Sequence, residues 1–366
     1  MNNPPKIALV ADWLTNFAGA ENVIVSFKNI FPQSPIFTTV FVEKEFSHIK
    51  QINNVYPSFL QKLPKFLRKN HRLLFPLLPK AIESFDFSDF DIVLSSSIFV
   101  SKNILTNPKT KHFCYCHCPA RFLWDEKNYL KNFPLPKIIK FFLPYFFSKL
   151  RFWDFFSTNR VDKFIANSDF TAEKIKKFYK RDALVISPPV DWEKFQPALK
   201  EKKKDFFLWV GRLVAQKNLE LLINTFKNLK QKKLYLIGQG NLEKKLKTMA
   251  KNNKNIKFLG FLKDEYLPQF YGQAKAVIFP QEEDAGIVPL ESLSSGTPVI
   301  ALKKGGVLTT LNSKVACFFE QETEQSLQEK IKEFENKKFS RKKLRQYAKK
   351  FSRENFEIKI KKVIDQ

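Results

Sequence analysis

The chain has 366 residues, of which 44% are apolar and 15% aromatic, including 40 Phe. This composition excludes a fibre or a disordered chain, and the length suits two domains of roughly 150 to 190 residues each. The formal net charge of +27 predicts attraction to a polyanion, whether nucleic acid, anionic lipid or a phosphorylated substrate.

The first residues, MNNPPKIALVADWL, do not resemble a targeting segment. They lack a basic stretch followed by an apolar run and a small-residue cleavage site, so we expect no secretory signal and a cytoplasmic protein. No stretch of about 18 uninterrupted apolar residues occurs, and a membrane-spanning helix is therefore not expected.

Short apolar runs, each followed by a loop and an amphipathic segment, recur along the chain and predict strands. In the first half these runs are 6–12, 90–97, 111–117 and 162–168. In the second half they are 206–212, 233–240, 255–261, 276–280 and 298–302. Because their apolarity is continuous rather than alternating, we expect parallel sheets covered by helices on both faces.

Helices are predicted at 218–231 and 241–252, with Asn241 as the cap of the second. Three prolines and a lysine run at 187–205 interrupt the pattern and indicate a domain boundary. The fold class is therefore α/β, with two doubly wound Rossmann-like domains, 1–190 and 191–345. In such sheets ligands bind at the carboxyl ends of the strands.

Three of the four cysteines alternate in the run CYCHC, at Cys114, Cys116 and Cys118, with His117 between the last two. Alternation places the three thiols on one face of a strand and His117 on the other, and no second Cys pair follows. We therefore predict small buried strand residues here, in a reducing compartment, and no metal site.

The stretch PQEEDAGIVPLESLSSGTPVIALKKGG, at 280–306, is typical of a strand end, a loop and a helix. Glu283 is predicted in the loop and Glu291 on the helix, with Pro289 in its first turn. The amides around Gly286 and Ile287 then lie at the positive end of the helix. Such amides suit a phosphate or sugar oxygen, and carboxylates suit pairs of hydroxyl groups on a sugar or ribose.

Two further groups follow predicted strands. Arg212 and Lys217 come after the strand at 206–212 and could face a diphosphate. The small-residue turn NFAGAEN, at 16–22, contains Gly19, which would allow the backbone to approach a ligand closely.

At these residues the chain resembles the retaining glycosyltransferases of family 4, which have the GT-B architecture. The motifs stand in order: ADWLTNFAGAE at 11–21, YCHCPARFLWD at 115–125, ANSDFTAEKIKKFYKRDALVISPPVD at 166–191, VGRLVAQKN at 210–218 and EEDAGIVPLESLSSGTPVIA at 282–301. The resemblance covers nearly the whole chain and is closest to the bacterial branch that often uses GDP-mannose. It implies two Rossmann-like domains facing each other across a cleft, with a helix within 346–366 returning to the first domain.

The resemblance implies four catalytic residues. Arg212 and Lys217 would hold the donor diphosphate and stabilise the charge that grows on the leaving nucleotide. Glu283 would grip the transferred sugar, and His117 would approach that sugar from the first domain. No metal is then expected, because the basic pair takes its place.

The donor-binding residues implied by the resemblance share positions in glycine-containing loops or at a helix start. Glu291 would accept hydrogen bonds from the donor ribose. The full set is Gly19, Gly211, Gly286, Ile287, Val288 and Glu291. The sequence departs from the family at Ala285, where Phe is common, and at Thr309, where Glu is frequent, which leaves the identity of the sugar open.

Two segments bear on the acceptor. Residues 59–80 interleave Lys and Arg with Phe and Leu, and residues 127–153 contain no acid. Such mixtures suit an anionic membrane interface, with a basic surface over an aromatic-rich core as the alternative.

These observations predict a cytoplasmic, membrane-associated enzyme that moves a hexose, with mannose as a candidate, from a nucleotide diphosphate sugar to a lipid-linked or polysaccharide acceptor. A sugar-nucleotide epimerase of the same architecture and a catalytically silent partner subunit remain alternatives. A nucleic-acid-binding protein would explain the charge, but no zinc finger, helix-turn-helix or RNA-recognition motif is present in the sequence.

Overall fold

The computed structural model describes residues 4–17, 19–69, 71–125 and 137–366. Residue 70 of the basic segment 59–80 and residues 127–136 of the segment 127–153 therefore lie outside the described residues. The chain divides into an N-terminal unit, Met1–Ile186 with Phe356–Gln366, and a C-terminal unit, Ser187–Asn355. From the sequence, the first domain was predicted to end at residue 190 and the second at residue 345.

The N-terminal unit contains a seven-stranded parallel sheet in the order β3-β2-β1-β4-β5-β6-β7. Its strands are β1 Ile7–Ala11, β2 Ile36–Thr38, β3 Val55–Pro57, β4 Ile92–Ser97, β5 Lys111–Cys116, β6 Lys163–Ala166 and β7 Ala183–Val185. Its helices are α1 Gly19–Ile30, α2 Lys65–Lys69, α3 Leu78–Glu83, α4 Arg121–Trp124, α5 Lys137–Ser157 and α6 Asp169–Tyr179.

The C-terminal unit contains a six-stranded parallel sheet in the order β10-β9-β8-β11-β12-β13. Its strands are β8 Phe207–Val210, β9 Leu234–Ile237, β10 Ile256–Gly260, β11 Val277–Phe279, β12 Val299–Leu302 and β13 Ala316–Phe319. Its helices are α7 Leu219–Asn228, α8 Glu243–Ala250, α9 Leu267–Gln273, α10 Ile287–Ser294, α11 Val307–Thr310, α12 Glu324–Glu335 and α13 Arg341–Ala348, and α14 Arg353–Ile364 follows.

Both sheets are covered on two faces, as continuous apolar runs require. Along β1, Leu9 belongs to a core packed against α1, whereas Val10 belongs to a separate core packed against α3, α4 and α5. Successive side chains point to opposite faces of a strand, so one short run supplies both cores. The predicted α/β class with two Rossmann-like sheets is confirmed.

The helix α14 packs into the core of the N-terminal unit. Phe356, Ile360, Val363 and Ile364 are buried there. The ring of Phe356 lies 6.2 Å from that of Phe27 and 5.6 Å from that of Tyr115, centroid to centroid. Burial of these side chains ties the helix to the first sheet by the hydrophobic effect.

All nine predicted strands are present, and so are the helices predicted at 218–231 and 241–252. One detail was wrong. Helix α8 begins at Glu243 with Leu242 in the capping position, and no side chain caps it. Asn241 lies one residue too early to accept from the first helical amides.

The side chains of Cys114, Cys116 and Cys118 are buried, as predicted. Within the described ranges, no group of three or more His, Cys, Asp and Glu side chains could hold a metal ion. Across the same residues, none of the helices combines the length and apolarity needed to cross a bilayer.

Candidate functional site

The candidate residues of the C-terminal unit follow two neighbouring strands. β8 and β11 are adjacent and parallel, although two strands separate them in the chain, so the strand order reverses between them. The carboxyl edge at such a reversal is where open α/β sheets bind ligands. The loop from Gly211 and the loop from Pro280 both begin at this edge.

Glycine is required where the loop after β8 meets the loop after β9. Gly238 has a φ of +134°, and a Cβ there would lie 1.7 Å from the carbonyl oxygen of Gly211. The amide of Gly211 donates to the carbonyl of Ile237 at 3.0 Å. These contacts fix the backbone from which the exposed side chain of Arg212 projects.

Lys217 and Glu283 form an ion pair at this edge. The Lys217 Nζ donates to the Glu283 Oε1, and each side chain is about one-fifth exposed. The same oxygen accepts from Gln281 Nε2 at 2.8 Å, and the side chain of Gln281 is buried. Glu283 therefore holds the ammonium of Lys217 in place, while Gln281 holds Glu283.

The two glycines that follow β12 hold the backbone of Glu283. The amide of Gly306 donates to the carbonyl oxygen of Glu283 at 2.8 Å. Gly305 has a φ of +76°, and a Cβ there would lie 2.6 Å from the same oxygen. A side chain at Gly305 would therefore displace the loop that carries Glu283.

The helix α10 begins beside this loop. Gly286 occupies its capping position without a side chain, Ile287 is the first helical residue, and Pro289 lies in the first turn as predicted. Ile287 and Val288 are half-buried, and the side chain of Val288 packs against the apolar core. The positive end of the helix dipole therefore lies four residues after Glu283 in the chain, and the N-cap residue itself has no side chain that could cap it.

Glu291 lies one turn into α10, where it meets α9. Its Oε2 accepts a hydrogen bond from the Tyr271 hydroxyl at 2.6 Å. Burial raises the pKa of the Glu291 carboxyl to about 7, although the hydrogen bond from Tyr271 and the charge of Lys194 oppose this rise and Asp264 adds to it. Burial, with the nearby Glu291 charge, also raises the pKa of Tyr271. At neutral pH this carboxyl can either donate or accept a hydrogen bond from a ligand hydroxyl.

In the N-terminal unit, His117 follows β5. Its Nε2 lies 2.8 Å from the hydroxyl oxygen of Ser96, near the end of the neighbouring strand β4. Its backbone carbonyl accepts from Asn167 Nδ2 at 2.8 Å. The half-buried imidazole is thus held at the carboxyl edge of the first sheet.

Gly19 begins α1 at the same edge. A cavity of about 20 Å³ is lined by Ala20 and Glu21 of this helix and by Ser96, the partner of His117. The turn at Gly19 and His117 therefore belong to one region of the N-terminal unit. The remaining predicted site residues belong to the C-terminal unit.

Sequence reasoning missed three residues that hold these loops. Asp12, directly after β1, accepts from the backbone amides of Ile98 at 2.5 Å, Phe99 at 3.0 Å and Ser101 at 2.6 Å. Tyr271 orients Glu291, and Gln281 orients Glu283. An acid directly after a buried strand was a usable signal for Asp12, whereas the other two required the fold.

Two family models match the chain in succession. Glycosyltransferase Family 4 matches residues 17–194. Glycosyl transferases group 1 matches residues 190–351. The second match contains Arg212, Lys217, Glu283 and Glu291.

Curated relatives are similar over part of their length. An uncharacterized glycosyltransferase of Methanocaldococcus jannaschii is 30% identical over 60% of this chain and 63% of its own. Alpha-1,3/1,6-mannosyltransferase ALG2 of Mus musculus is 25% identical over 63% of this chain and 61% of its own. The aligned part thus spans less than two thirds of these relatives.

Solved structures share the fold over almost the entire chain. Sucrose-phosphate synthase from Thermosynechococcus elongatus has a TM-score of 0.75 at 15% identity and covers 98% of both chains. Anabaena HepE in complex with UDP has a TM-score of 0.70 at 17% identity, covering 98% of this chain and 99% of that one.

Proposed function

Two glycosyltransferase family models match successive parts of a chain with the GT-B fold, and we propose that it is a family 4 glycosyltransferase. It would transfer a hexose from a nucleotide diphosphate sugar to an acceptor hydroxyl with retention of configuration. The acceptor we propose is a lipid-linked or polysaccharide glycan. The enzyme then works on the cytoplasmic side of a membrane.

The observation that carries this proposal is the cluster at the carboxyl ends of β8 and β11. It combines the exposed cation Arg212, the cation Lys217 held by Glu283, and the start of α10, where the N-cap is a glycine. A diphosphate needs positive charge, and a sugar needs carboxylates and backbone amides. Glu291, one turn along the helix, supplies an acceptor for the hydroxyl pair of a ribose.

In the proposed reaction, the bond between the sugar C1 and the diphosphate oxygen breaks, and the acceptor oxygen bonds to C1 on the same face. The acceptor proton passes to an oxygen of the departing diphosphate. Arg212 and Lys217 stabilise the negative charge that develops on this leaving group, which is worth several kcal/mol in comparable sites. This pair takes the part that a divalent cation plays in other transferases.

The donor we propose is GDP-mannose. The similarity to a mannosyltransferase supports mannose, whereas the likeness to HepE bound to UDP shows that this fold also accommodates a uridine nucleotide. Ala285 is half-buried in the loop before α10. Thr309 lies in α11, the short helix that begins directly after Gly306. Ala285 lies within the proposed sugar-binding loop, and Thr309 follows the two glycines that hold the backbone of Glu283.

The test is a panel of nucleotide diphosphate sugars, with donor binding read as a rise in melting temperature. A donor at about 100 times its Kd stabilises the folded protein by about 2.7 kcal/mol. We expect a guanosine donor to raise the melting temperature more than a uridine donor. The variant Lys217→Ala should lose this rise in melting temperature. The control is Lys304→Ala, which removes an exposed lysine paired with Glu322 and should keep the rise. No rise with any donor would contradict the proposal.

The same incubation separates the transferase from an epimerase. With donor alone, an epimerase converts the sugar, whereas the proposed transferase leaves its configuration unchanged. Conversion of the sugar without acceptor would favour the epimerase.

A further inference from the structure

We propose that the outer face of α5 docks the protein on an anionic lipid bilayer, with aromatic rings at the level of the headgroups. This inference deepens the proposed function, since a lipid-linked acceptor resides in a bilayer. It does not depend on the donor chemistry.

One stripe of α5 carries exposed aromatic side chains. Tyr145 and Phe152 are each 66% exposed, and Phe156 is 51% exposed. With Lys149 they follow a spacing of four, three and four residues, which places all four within an arc of about 60° on the helix. The stripe extends for about 17 Å along the helix axis.

The members of this stripe support one another on the surface. The rings of Phe152 and Phe156 lie 4.2 Å apart, centroid to centroid. The Lys149 Nζ lies 4.7 Å from the centroid of the Tyr145 ring. Aromatic rings with a basic residue beside them are the side chains that favour the boundary between headgroups and acyl chains.

The opposite face of α5 is fixed in the protein. Phe147 and Leu150 are buried in the core beneath the helix. Asp154 accepts from Lys102 Nζ at 2.5 Å and, through its other oxygen, from Trp124 Nε1 at 2.8 Å and the Tyr179 hydroxyl at 2.9 Å. The helix is therefore held firmly, and the stripe is its outward face.

The charged residues of α5 indicate which kind of surface binds to its outer face. From Lys137 to Ser157 the sequence contains four basic residues, and Asp154, the single acid, is buried in the network with Lys102. Of these cations, Lys149 is exposed beside the rings, whereas the Arg151 guanidinium donates to the carbonyl of Leu123 at 2.9 Å. Among the side chains of α5 that the structure describes, the outer face therefore offers a cation and no exposed carboxylate. Anionic headgroups complement this charge, and the acyl boundary accommodates the rings. The bilayer is thus a better match than a protein surface of mixed charge.

The experiment measures binding of the full chain to sedimenting vesicles of phosphatidylcholine, with or without about 30% phosphatidylglycerol. We expect binding to the anionic vesicles only, weakened at high salt because headgroup attraction is screened. Replacing Tyr145, Phe152 and Phe156 together by Ser should weaken this binding roughly tenfold or more. Lys149→Glu should weaken it on its own.

The matched control replaces three exposed aliphatic residues elsewhere in the N-terminal unit, Leu105, Leu184 and Ile358, by Ser. Its vesicle binding should equal that of the unmodified protein. The melting temperature of the aromatic triple variant should stay within a few degrees of the unmodified protein, because the side chains removed are exposed.

Two results would overturn the inference. One is equal pelleting of the aromatic triple variant and the unmodified protein. The other is a dimer in light scattering that the triple variant converts to a monomer, since a second copy would then be the occupant. If the protein binds vesicles through the stripe but no nucleotide sugar raises its melting temperature, the proposed function fails and this inference stands.

Discussion

Glu291→Gln should stabilise the unliganded protein at alkaline pH while weakening donor binding. The buried carboxyl has its pKa raised from 4.5 to about 7. The folded state therefore holds this proton more tightly than the unfolded state. Ionised Glu291 lowers the free energy of unfolding progressively as the pH rises from about 4.5 to about 7, and the loss is complete above that range.

The size of the effect follows from the shift. Each pKa unit corresponds to 1.36 kcal/mol. The full shift would be worth about 3 kcal/mol, and partial solvent screening of a half-buried carboxyl reduces this to about 1 to 3 kcal/mol. Glutamine keeps an oxygen that accepts from Tyr271 but carries no charge. The variant should therefore melt about 2 to 10 °C higher than the unmodified protein near pH 8 and no higher near pH 4.5.

The assay is thermal unfolding of both proteins across this pH range, with the difference in melting temperature plotted against pH. Other titrating groups are common to both proteins and cancel in the difference. Tyr271→Phe removes the hydrogen bond to the charged carboxyl, so it should move the midpoint of the pH dependence upward.

Donor affinity should fall about 10- to 100-fold in Glu291→Gln, because the charged acceptor for the ribose hydroxyls is lost. A difference in melting temperature that does not change with pH would refute the buried-charge reasoning. Unchanged donor affinity per folded molecule would refute the assignment of Glu291 to the ribose.

Three further predictions concern the loops that position the site. Lys217→Ala should lower turnover by more than about tenfold, because one of two cations facing the diphosphate is gone; a smaller loss in a steady-state assay would argue against a site there. Gly305→Ala should lower donor affinity and cost about 1 to 3 kcal/mol of stability. Its control is Gly260→Ala, where φ is a similar +72° and no atom lies within 4 Å of the added Cβ. The control should lose stability but keep its donor affinity. Equal donor affinity in both glycine variants would contradict the role of Gly305. Ser96→Ala should lower turnover, because it removes the hydroxyl that holds the His117 imidazole. Its control is Ser95→Ala, which removes the hydroxyl 2.8 Å from Nε2 of the buried His112. That variant should lower the melting temperature and leave turnover per folded molecule unchanged. If Ser96→Ala instead lowered the melting temperature and left turnover per folded molecule unchanged, His117 would have a structural role.

The strands that could be predicted are those buried on both faces, such as β4 and β12, whose burial is continuous. The four that were missed have three or four residues, and β3, β7 and β13 lie at sheet edges. β7 is largely exposed, with Leu184 42% exposed. β3 and β7 bury too little surface to produce a continuous apolar run, whereas β2 and β13 are largely buried but have only three and four residues.

The sequence predicts the candidate site as a set of residues but not as an arrangement. The ion pair between Lys217 and Glu283 joins residues 66 positions apart in the chain. They meet because β8 lies next to β11, and strand order is a property of the sheet rather than of local spacing. Tyr271 and Gln281 carry no local signal for the same reason.

The position of α14 has a consequence for the order of folding during synthesis. Its residues Phe356 and Ile360 complete a core that contains Phe27 and Tyr115, both more than 200 residues earlier in the chain. The C-terminal unit is continuous and can form its own core while α14 is still being made. The sheet of the N-terminal unit leaves the ribosome first. Part of its apolar face therefore stays uncovered until the second sheet and α14 have emerged. During that interval Phe27 and Tyr115 are the groups that a chaperone would protect.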